Sequence, residues 1–202
     1  MKLYYAPGAC SLAPHIVAQE LGIKLELDKV DLSTKLTASG ADFTALNPKG
    51  YVPALHLDDG SVLTEGPAIV QYLADTKPGA KLAPANGSLE RYRLQALLGY
   101  INSEIHKSFS PLFNPATSDE LRRDREAYLR KRYAYLEKEL QGKPYLTGDN
   151  FTVADAYLFT VTNWARTVKL DLSEFSNLTS FQKRVAARPA VIAAMTAEGL
   201  IK

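Results

Sequence analysis

The 202-residue chain has a single cysteine and no long apolar segment. One cysteine cannot form an intrachain disulfide, so we expect a reducing compartment, the cytoplasm. The longest unbroken apolar run is Ala190–Met195, far shorter than the ~20 residues that cross a bilayer. The first residues, Met1–Tyr5, lack a signal-peptide pattern and are typical of a strand. We therefore expect no membrane partner.

Neither sign of charge predominates, since the formal net charge is only +2. This value argues against a dedicated nucleic-acid-binding protein. The sequence also lacks a P-loop, a GxGxxG motif and any His, Cys or carboxylate spacing typical of metal ligands. With 46% hydrophobic and 23% charged residues, the composition is that of an ordinary globular protein, and we expect no bound metal.

Arginine is missing from the first part of the chain, where none precedes Arg91. Residues 1–80 carry six lysines against nine acidic residues, a net charge of −3, whereas the remaining residues carry eighteen basic and thirteen acidic ones, a net charge of +5. Prolines and glycines cluster where the composition changes. The sequence therefore predicts a first domain over 1–80, a linker over 81–87 and a second domain over 88–202.

Strand and helix patterns alternate in the first domain. The predicted order is a strand at Lys2–Ala6, a helix at Leu12–Leu21, a strand at Leu25–Val30, a hairpin of Val52–Leu57 with Ser61–Leu63, and a helix at Pro67–Thr76. The hairpin prediction rests on the Asp-Gly turn between two apolar runs. This order predicts an α/β domain with a mixed four-stranded sheet and helices packed on it.

Throughout the second domain, apolar residues recur at the spacing of a helix, so we predict this domain to be all-α. Apolar residues mark a long helix from about Ser88, then helices over Leu129–Leu140, Val153–Val168 and Leu178–Val185, and a short fifth helix after Pro189. Thr152 and Asp155 have the spacing of a capping box at the start of the third of these helices.

Cys10 is the strongest candidate for chemistry. It lies at the start of the first helix, where free amides and the helix dipole stabilise a thiolate, so we expect a thiolate near neutral pH. The alternative is a small buried hydrophobic residue. Tyr5 and Ser11 add hydroxyls near the same point and are further catalytic candidates, although Tyr5 would more often be a packed strand residue.

Four other positions are ambiguous when taken singly. Pro53 opens a strand, and base rates favour a trans peptide bond there. Glu65 precedes a helix start that could hold an anion, but the carboxylate could equally favour the helix dipole. Lys35 could be an ordinary solvated lysine, and His106 a structural or surface histidine.

Taken together, five motifs in order resemble the cytosolic glutathione S-transferases, specifically the bacterial beta class, over the whole chain. The motifs are Pro7–Ser11, Asn47-Pro48-x-Gly50-x-Val52-Pro53, Leu63–Ile69, Glu104-x-His106-Lys107 and Thr152–Asp155. The resemblance implies a thioredoxin-like first domain, a cis peptide bond before Pro53, glutathione as co-substrate and a homodimer.

The resemblance also implies how the first domain binds glutathione. Cys10 would face the glutathione sulfur, and Val52, exposed by the cis Pro53, would pair with the cysteinyl backbone. Glu65 would bind the γ-glutamyl ammonium. The Gly66 amide would bind the carboxylate of the same residue, and Lys35 the glycine carboxylate.

The second domain supplies further implied contacts. His106 would approach the sulfur, while Ser103 and Glu104 would reach the γ-glutamyl end of the ligand bound to the partner subunit. The chain departs from the family pattern at Gly66, where serine is usual, and at Gly99, where an asparagine often touches the ligand. Both departures remove a polar contact.

These inferences predict an enzyme that conjugates glutathione to hydrophobic electrophiles, with detoxification as its purpose. An apolar cleft would be walled by Ala9, Phe109, Phe113 and Trp164, unless these aromatic residues only pack in the core. A mixed disulfide on Cys10 would instead support thiol-transferase, peroxidase or reductive dehalogenase activity. A third alternative is a non-catalytic binding protein with the same fold.

Overall fold

A computed structural model describes all 202 residues and divides them into two compact units. Unit 1 comprises Met1–Ala83 together with Ala187–Lys202, and unit 2 comprises Pro84–Ala186. The boundary after Ala83 falls inside the predicted linker, 81–87. The C-terminal segment differs from the sequence prediction, because it belongs with unit 1 and not with the helical unit.

Unit 1 is built on a four-stranded sheet. Its strands are β1 (Lys2–Tyr5), β2 (Glu26–Lys29), β3 (Ala54–His56) and β4 (Val62–Thr64), in the order β2-β1-β3-β4. β1 and β2 are parallel, whereas β3 runs antiparallel to both β1 and β4. The predicted mixed sheet is therefore confirmed.

The alternation of side chains between the two faces of the sheet fixes its register. Leu3 of β1 lies opposite Leu55 of β3, and both side chains are fully buried. A shift by one residue would turn this apolar set to the other face, so the register is strongly specified. Gly60 has φ +87° in the turn before β4, which favours glycine, and the Asp59 carboxylate accepts a hydrogen bond from the Ser61 amide at 2.9 Å.

Helices form most of the remaining structure. In chain order they are α1 (Leu12–Glu20), α2 (Phe43–Leu46), α3 (Gly66–Thr76), α4 (Leu89–Tyr100), α5 (Lys107–Phe109), α6 (Asp119–Glu139), α7 (Val153–Thr162), α8 (Trp164–Val168), α9 (Ser176–Ala186) and α10 (Pro189–Ala197). Short 3₁₀ segments cover Pro78–Ala80 and Ser110–Phe113. The single turn α2 was not predicted, because four residues are too few to show helical periodicity.

The last helix, α10, packs on α1 through buried polar contacts. The Glu198 carboxylate, just after α10, accepts from the Gly8 amide at 2.9 Å and lies 2.9 Å from His15 Nδ1 of α1. At the other end of α10, Arg188 forms a two-pronged ion pair with Glu20 at 2.6 and 2.9 Å. These partners are more than a hundred and fifty positions apart, so spacing along the sequence could not predict the assignment of α10 to unit 1.

Unit 2 is all-helical, as predicted. Its first helix, α4, is capped by Ser88 and continues through a π-helical turn, Ile101–His106, into α5. All ten residues of α7 are buried, which makes it the centre of this unit. The predicted helix over Val153–Val168 is divided at Asn163 into α7 and α8. No helix in the chain is both long and apolar enough to cross a membrane.

The predicted capping box at the start of α7 is confirmed. The fully buried Asp155 carboxylate accepts from the Thr152 amide at 2.8 Å, the Thr152 hydroxyl at 2.7 Å and the Leu146 amide at 2.8 Å. Burial nevertheless raises the pKa of Asp155 to about 6, because desolvation outweighs these hydrogen bonds.

Candidate active site

The loop between β1 and α1 is closed by Ser11. Its hydroxyl accepts from the Ala6 amide and donates to the Ala6 carbonyl, both at 3.2 Å, and its side chain is fully buried. Through these hydrogen bonds, Ser11 stabilises the loop that carries Cys10. The catalytic role expected of the Ser11 hydroxyl stays a prediction, and its single hydrogen is already donated within the loop.

Cys10 contacts the start of the β3 segment. Its thiol donates to the Val52 carbonyl with an Sγ–O distance of 3.2 Å. The Val52–Pro53 peptide bond is cis, as the family resemblance implied and contrary to the base-rate expectation. The structure therefore brings together three of the predicted site residues: Cys10, Val52 and Pro53.

The protonation state of Cys10 differs from the prediction. Burial raises the pKa of this thiol to about 12, because the sulfur is desolvated and the Glu65 carboxylate also opposes a negative charge. The amides of Cys10 and Ser11 favour the thiolate, as expected at a helix start, but their effect is smaller. The predicted thiolate is therefore wrong for this geometry, and Cys10 is a protonated hydrogen-bond donor.

Tyr5 is also protonated at neutral pH. Burial raises the pKa of its phenol, and the carboxylates of Glu198 and Asp28 act in the same direction. Tyr5 is thus not an ionised base, and any catalytic use of its side chain would be through an intact hydroxyl.

Two lysines approach the loop that precedes β3. Lys35 Nζ donates to the Gly50 carbonyl at 3.1 Å, and both residues have positive φ angles, +62° and +66°. Lys49 Nζ lies 2.7 Å from Glu65 Oε1 and 3.1 Å from the Thr64 hydroxyl. Lys49 was not predicted as a site residue. Its pairing depends on the return of the chain through the β3–β4 hairpin, which local motifs do not encode.

Glu65 stands in a constrained backbone position just before α3. Its φ is +71°, a conformation that non-glycine residues seldom adopt and that clusters at functional sites. The first helical amide belongs to Gly66, and the next residue, Pro67, has no N–H to offer. The α3 start therefore combines an exposed carboxylate with a helix N-terminal amide.

In unit 2, His106 belongs to a side-chain network. His106 Nδ1 lies 2.6 Å from the Tyr157 hydroxyl, which donates to Asn102 Oδ1 at 2.8 Å. The imidazole also meets the ring of Trp164 edge-on, with centroids 4.9 Å apart. Asn102 and Tyr157 were not among the predicted site residues, because no local motif links residues on two separate helices, and the catalytic role of His106 stays a prediction.

Glu104 has partners within its own chain. Its Oε2 accepts from the Tyr128 hydroxyl at 2.5 Å and lies 2.8 Å from Arg132 Nε, and these contacts lower the pKa of its carboxyl, Tyr128 having the larger effect. Ser103 donates to the Gly99 carbonyl at 3.0 Å. Any ligand reaching Glu104 would have to share the carboxylate with Tyr128 and Arg132.

The aromatic residues expected to wall a cleft have different environments. Phe109 is fully buried, so its expected place on a cleft wall is corrected to the core. Phe113 is 45% exposed and Trp164 only 9%, and their rings meet edge-on at 5.5 Å. Nowhere in the chain do three or more His, Cys, Asp or Glu side chains gather as metal ligands would.

Comparison with protein families gives two matches in the same chain. Residues 8–76 match the N-terminal domain of glutathione S-transferases, and residues 100–189 match the C-terminal domain. The two matched segments cover most of the chain and correspond to the sheet-containing and helical parts described above.

Full-length relatives agree with these matches. The glutathione S-transferase GstA of Escherichia coli O157:H7 is 48% identical over 99% of this chain and 100% of its own. Among solved structures, a sphingomonad glutathione S-transferase complexed with glutathione is 49% identical with a TM-score of 0.95. The beta-class enzyme of Sphingomonas chungbukensis is also 49% identical, with a TM-score of 0.96. Both structures cover 100% of this chain and are themselves covered completely.

Proposed function

The chain belongs to the glutathione S-transferase family, in its bacterial beta class, and from this membership we propose that it conjugates glutathione to hydrophobic electrophiles. The single observation that carries the proposal is the 3.2 Å contact between Cys10 Sγ and the Val52 carbonyl. A peptide that pairs with the Val52 backbone as an added strand has its own cysteinyl sulfur near Cys10.

The charges around this contact match those of glutathione, which has one ammonium and two carboxylates. Glu65 is the acceptor for the γ-glutamyl ammonium, and its exposed side chain can exchange Lys49 for the ligand. The Gly66 amide at the α3 start holds the neighbouring carboxylate. Lys35, whose Nζ rests on the Gly50 carbonyl, binds the glycine carboxylate through a charge-assisted hydrogen bond.

Glutathione supplies the nucleophile in this reaction. Its thiolate attacks the electrophilic carbon, forming the C–S bond and expelling a leaving group such as a halide ion. When glutathione binds, the single S–H hydrogen of Cys10 turns from the Val52 carbonyl to the glutathione sulfur and stabilises the thiolate before attack. The raised pKa of Cys10 supports this task, since a donor must keep its proton. The same raised pKa disfavours the mixed-disulfide alternative, because exchange requires a thiolate on Cys10.

The electrophile is held by residues of unit 2. Phe113 and Trp164 offer aromatic surface for a hydrophobic or aromatic second substrate. The half-exposed Phe113 is the better candidate for direct contact.

We also propose a cytoplasmic homodimer in which the first domain of each chain meets the second domain of its partner. Each unit has a large exposed aromatic side chain available to a partner, Tyr51 at 68% and Tyr92 at 59%. The opposite net charges of the two parts, −3 and +5, favour the same pairing. A monomer mass in light scattering at micromolar concentration would contradict the dimer and, with it, the contact of Glu104 with a partner's ligand.

Two steps test the proposed reaction on the purified protein. Retention on glutathione-agarose, with elution by free glutathione, tests binding, and a chlorodinitrobenzene assay tests conjugation. We expect both to be positive. Retention without conjugation of any aromatic or alkyl halide would favour the non-catalytic binding protein, and activity confined to disulfide substrates would favour the thiol-transferase.

A further inference from the structure

An ion pair lies beside the start of α3, and the proposed function uses only one of its two members. Lys49 Nζ lies 2.7 Å from Glu65 Oε1 and donates to the Thr64 hydroxyl at 3.1 Å. The Lys49 and Glu65 side chains are 52% and 60% exposed, so a ligand can reach both charges. The proposed function assigns a group of glutathione to Glu65 but none to Lys49.

The backbone around Lys49 is held by a buried asparagine. The Asn47 side chain accepts from the Lys49 amide at 3.3 Å and donates to the Tyr51 carbonyl at 2.8 Å. The Gly50 amide donates to the Asn47 carbonyl at 2.8 Å. These three hydrogen bonds close a tight turn, so the Lys49 side chain extends toward Glu65 from a fixed backbone.

The partners of Lys49 are equally well placed. Thr64 ends β4, where it lies opposite Ala54 of β3. Glu65 follows it in the constrained conformation with φ +71°, and α3 begins at the next residue, Gly66. The Thr64 hydroxyl, the Glu65 carboxylate and the Lys49 ammonium therefore form one patch of unit 1, with a negative and a positive charge side by side.

Both charged groups keep unused hydrogen-bonding capacity. An ammonium has three N–H donors, and Lys49 donates to two acceptors, Thr64 and Glu65. Both oxygens of a carboxylate can accept, and only Oε1 of Glu65 takes part in the pair. A ligand that carries both charges can therefore approach the pair before the pair separates.

The head group of an α-amino acid carries the two charges that complement this patch. Its ammonium and its carboxylate are bonded to one carbon, so each can lie against a neighbouring charge of opposite sign. As the ligand ammonium takes the place of Lys49 at Glu65, the released lysine lies next to the ligand carboxylate. One ion pair within the protein is thus exchanged for two between protein and ligand, and no charge is left unpaired.

We propose that Lys49 binds the α-carboxylate of the γ-glutamyl residue of glutathione, so that Lys49 and Glu65 together recognise the zwitterionic end of the tripeptide. The proposal rests on the proposed function, in which Glu65 binds the ammonium of the same residue. Gly66 has only its amide to offer this carboxylate, and Lys49 adds a cation. The pair makes the enzyme selective for thiol peptides that end in a free α-amino-acid group.

Calorimetric titration with two ligands tests this contact. The first is glutathione, and the second is γ-aminobutyryl-cysteinyl-glycine, which keeps the ammonium and lacks only the α-carboxylate. In Lys49→Met we expect the Kd for glutathione to rise roughly three- to tenfold, between the effects typical of an exposed ion pair and of a hydrogen bond to a charged group. The Kd for the second ligand should stay the same or fall, because Lys49 can only compete with its ammonium for Glu65.

Two further variants serve as controls. Lys24→Met removes another exposed lysine of unit 1 and should change neither Kd. Lys49→Arg restores a cation and should recover most of the affinity for glutathione. In the conjugation assay, Lys49→Met should raise the KM for glutathione and spare kcat, since the α-carboxylate is remote from the reacting sulfur.

The outcomes separate this proposal from the proposed function. A lower Kd for glutathione in Lys49→Met would make Lys49 only a competitor for Glu65 and would overturn the proposal. An unchanged Kd, or an equal rise for both ligands, would overturn it as well. In each of these cases, conjugation by the unaltered protein leaves the proposed function intact. If the unaltered protein neither binds nor conjugates glutathione, the proposed function fails and the role of Lys49 fails with it.

Discussion

The start of α1 and the π-helical turn each present one side chain able to handle a proton, but they control it by different means. Cys10 has a backbone partner, the Val52 carbonyl, and no cation among the groups that set its pKa, so desolvation decides its protonation. His106 has a side-chain partner whose own hydrogen is committed elsewhere. In the first region burial opposes the loss of a proton, and in the second the ring nitrogen of a histidine contacts a tyrosine hydroxyl that also donates to an asparagine.

The largest effect expected from this comparison concerns the reactivity of Cys10. A rise of the pKa from 9.0 to about 12 lowers the thiolate fraction at neutral pH roughly a thousandfold. The iodoacetamide alkylation rate of the ligand-free protein should therefore keep rising with pH beyond 10. As the chain has no other cysteine, the signal comes from Cys10 alone. A plateau reached below about pH 9 would mean that the helix start, not burial, decides the state of this thiol.

Burial acts on Asp155 of unit 2 as it does on Cys10 of unit 1. The pKa of about 6 in the folded protein, against an ordinary 3.8, means that the folded protein binds more protons between pH 4 and 6. The unfolding free energy contributed by this group is thus greatest below pH 4 and falls by about 3 kcal/mol as pH rises to neutral.

Asp155→Asn tests whether the contribution of Asp155 to the unfolding free energy falls as pH rises, because asparagine cannot titrate. The unfolding free energy of the unaltered protein, relative to that of the variant, should fall between pH 4 and 7 in urea titrations, with the exposed Asp149→Asn as the control. A difference that does not vary with pH would show that the hydrogen bonds from Thr152 and Leu146 fully offset desolvation.

Lys35 differs from Cys10 because its proposed role is in binding glutathione and involves no proton transfer. A remote carboxylate contact stabilises ground and transition states alike, so Lys35→Ala should raise the KM for glutathione and spare kcat. A charge-assisted contact of roughly 1.5–3 kcal/mol corresponds to about ten- to a hundredfold. Lys24→Ala, at an exposed position, is the matched control. A large loss of kcat at normal KM would refute the role given to Lys35.

The smallest effect is expected at Gly99 of α4. A Cβ there meets no atom within 4 Å, so we expect Gly99→Asn to be tolerated and to stabilise the helix by a few tenths of a kcal/mol. If the family contact is available, the KM for glutathione should also fall. An increase in KM would mean that this chain binds its ligand without using this position.

Features that depend on residues close together in the sequence could be predicted, whereas features that join distant segments could not. The β3–β4 hairpin, the α1 start and the Thr152–Asp155 box were predictable because their signals lie within a few residues. The Cys10 thiolate was predicted wrongly because the helix start is a local signal, whereas the pKa of Cys10 also depends on burial and on Glu65, which is distant in the sequence. The Glu65–Lys49 pair and the Tyr157 network join distant segments, and no spacing rule reaches them.

The chlorodinitrobenzene kinetics of Cys10→Ala decide whether glutathione supplies the nucleophile while Cys10 only donates a hydrogen bond. We expect conjugation to be reduced modestly and any disulfide exchange to disappear. Cys10→Ser should stay closer to the unaltered protein, because its hydroxyl still donates. Loss of all conjugation in Cys10→Ala, with glutathione still bound to the variant, would contradict this assignment of the nucleophile.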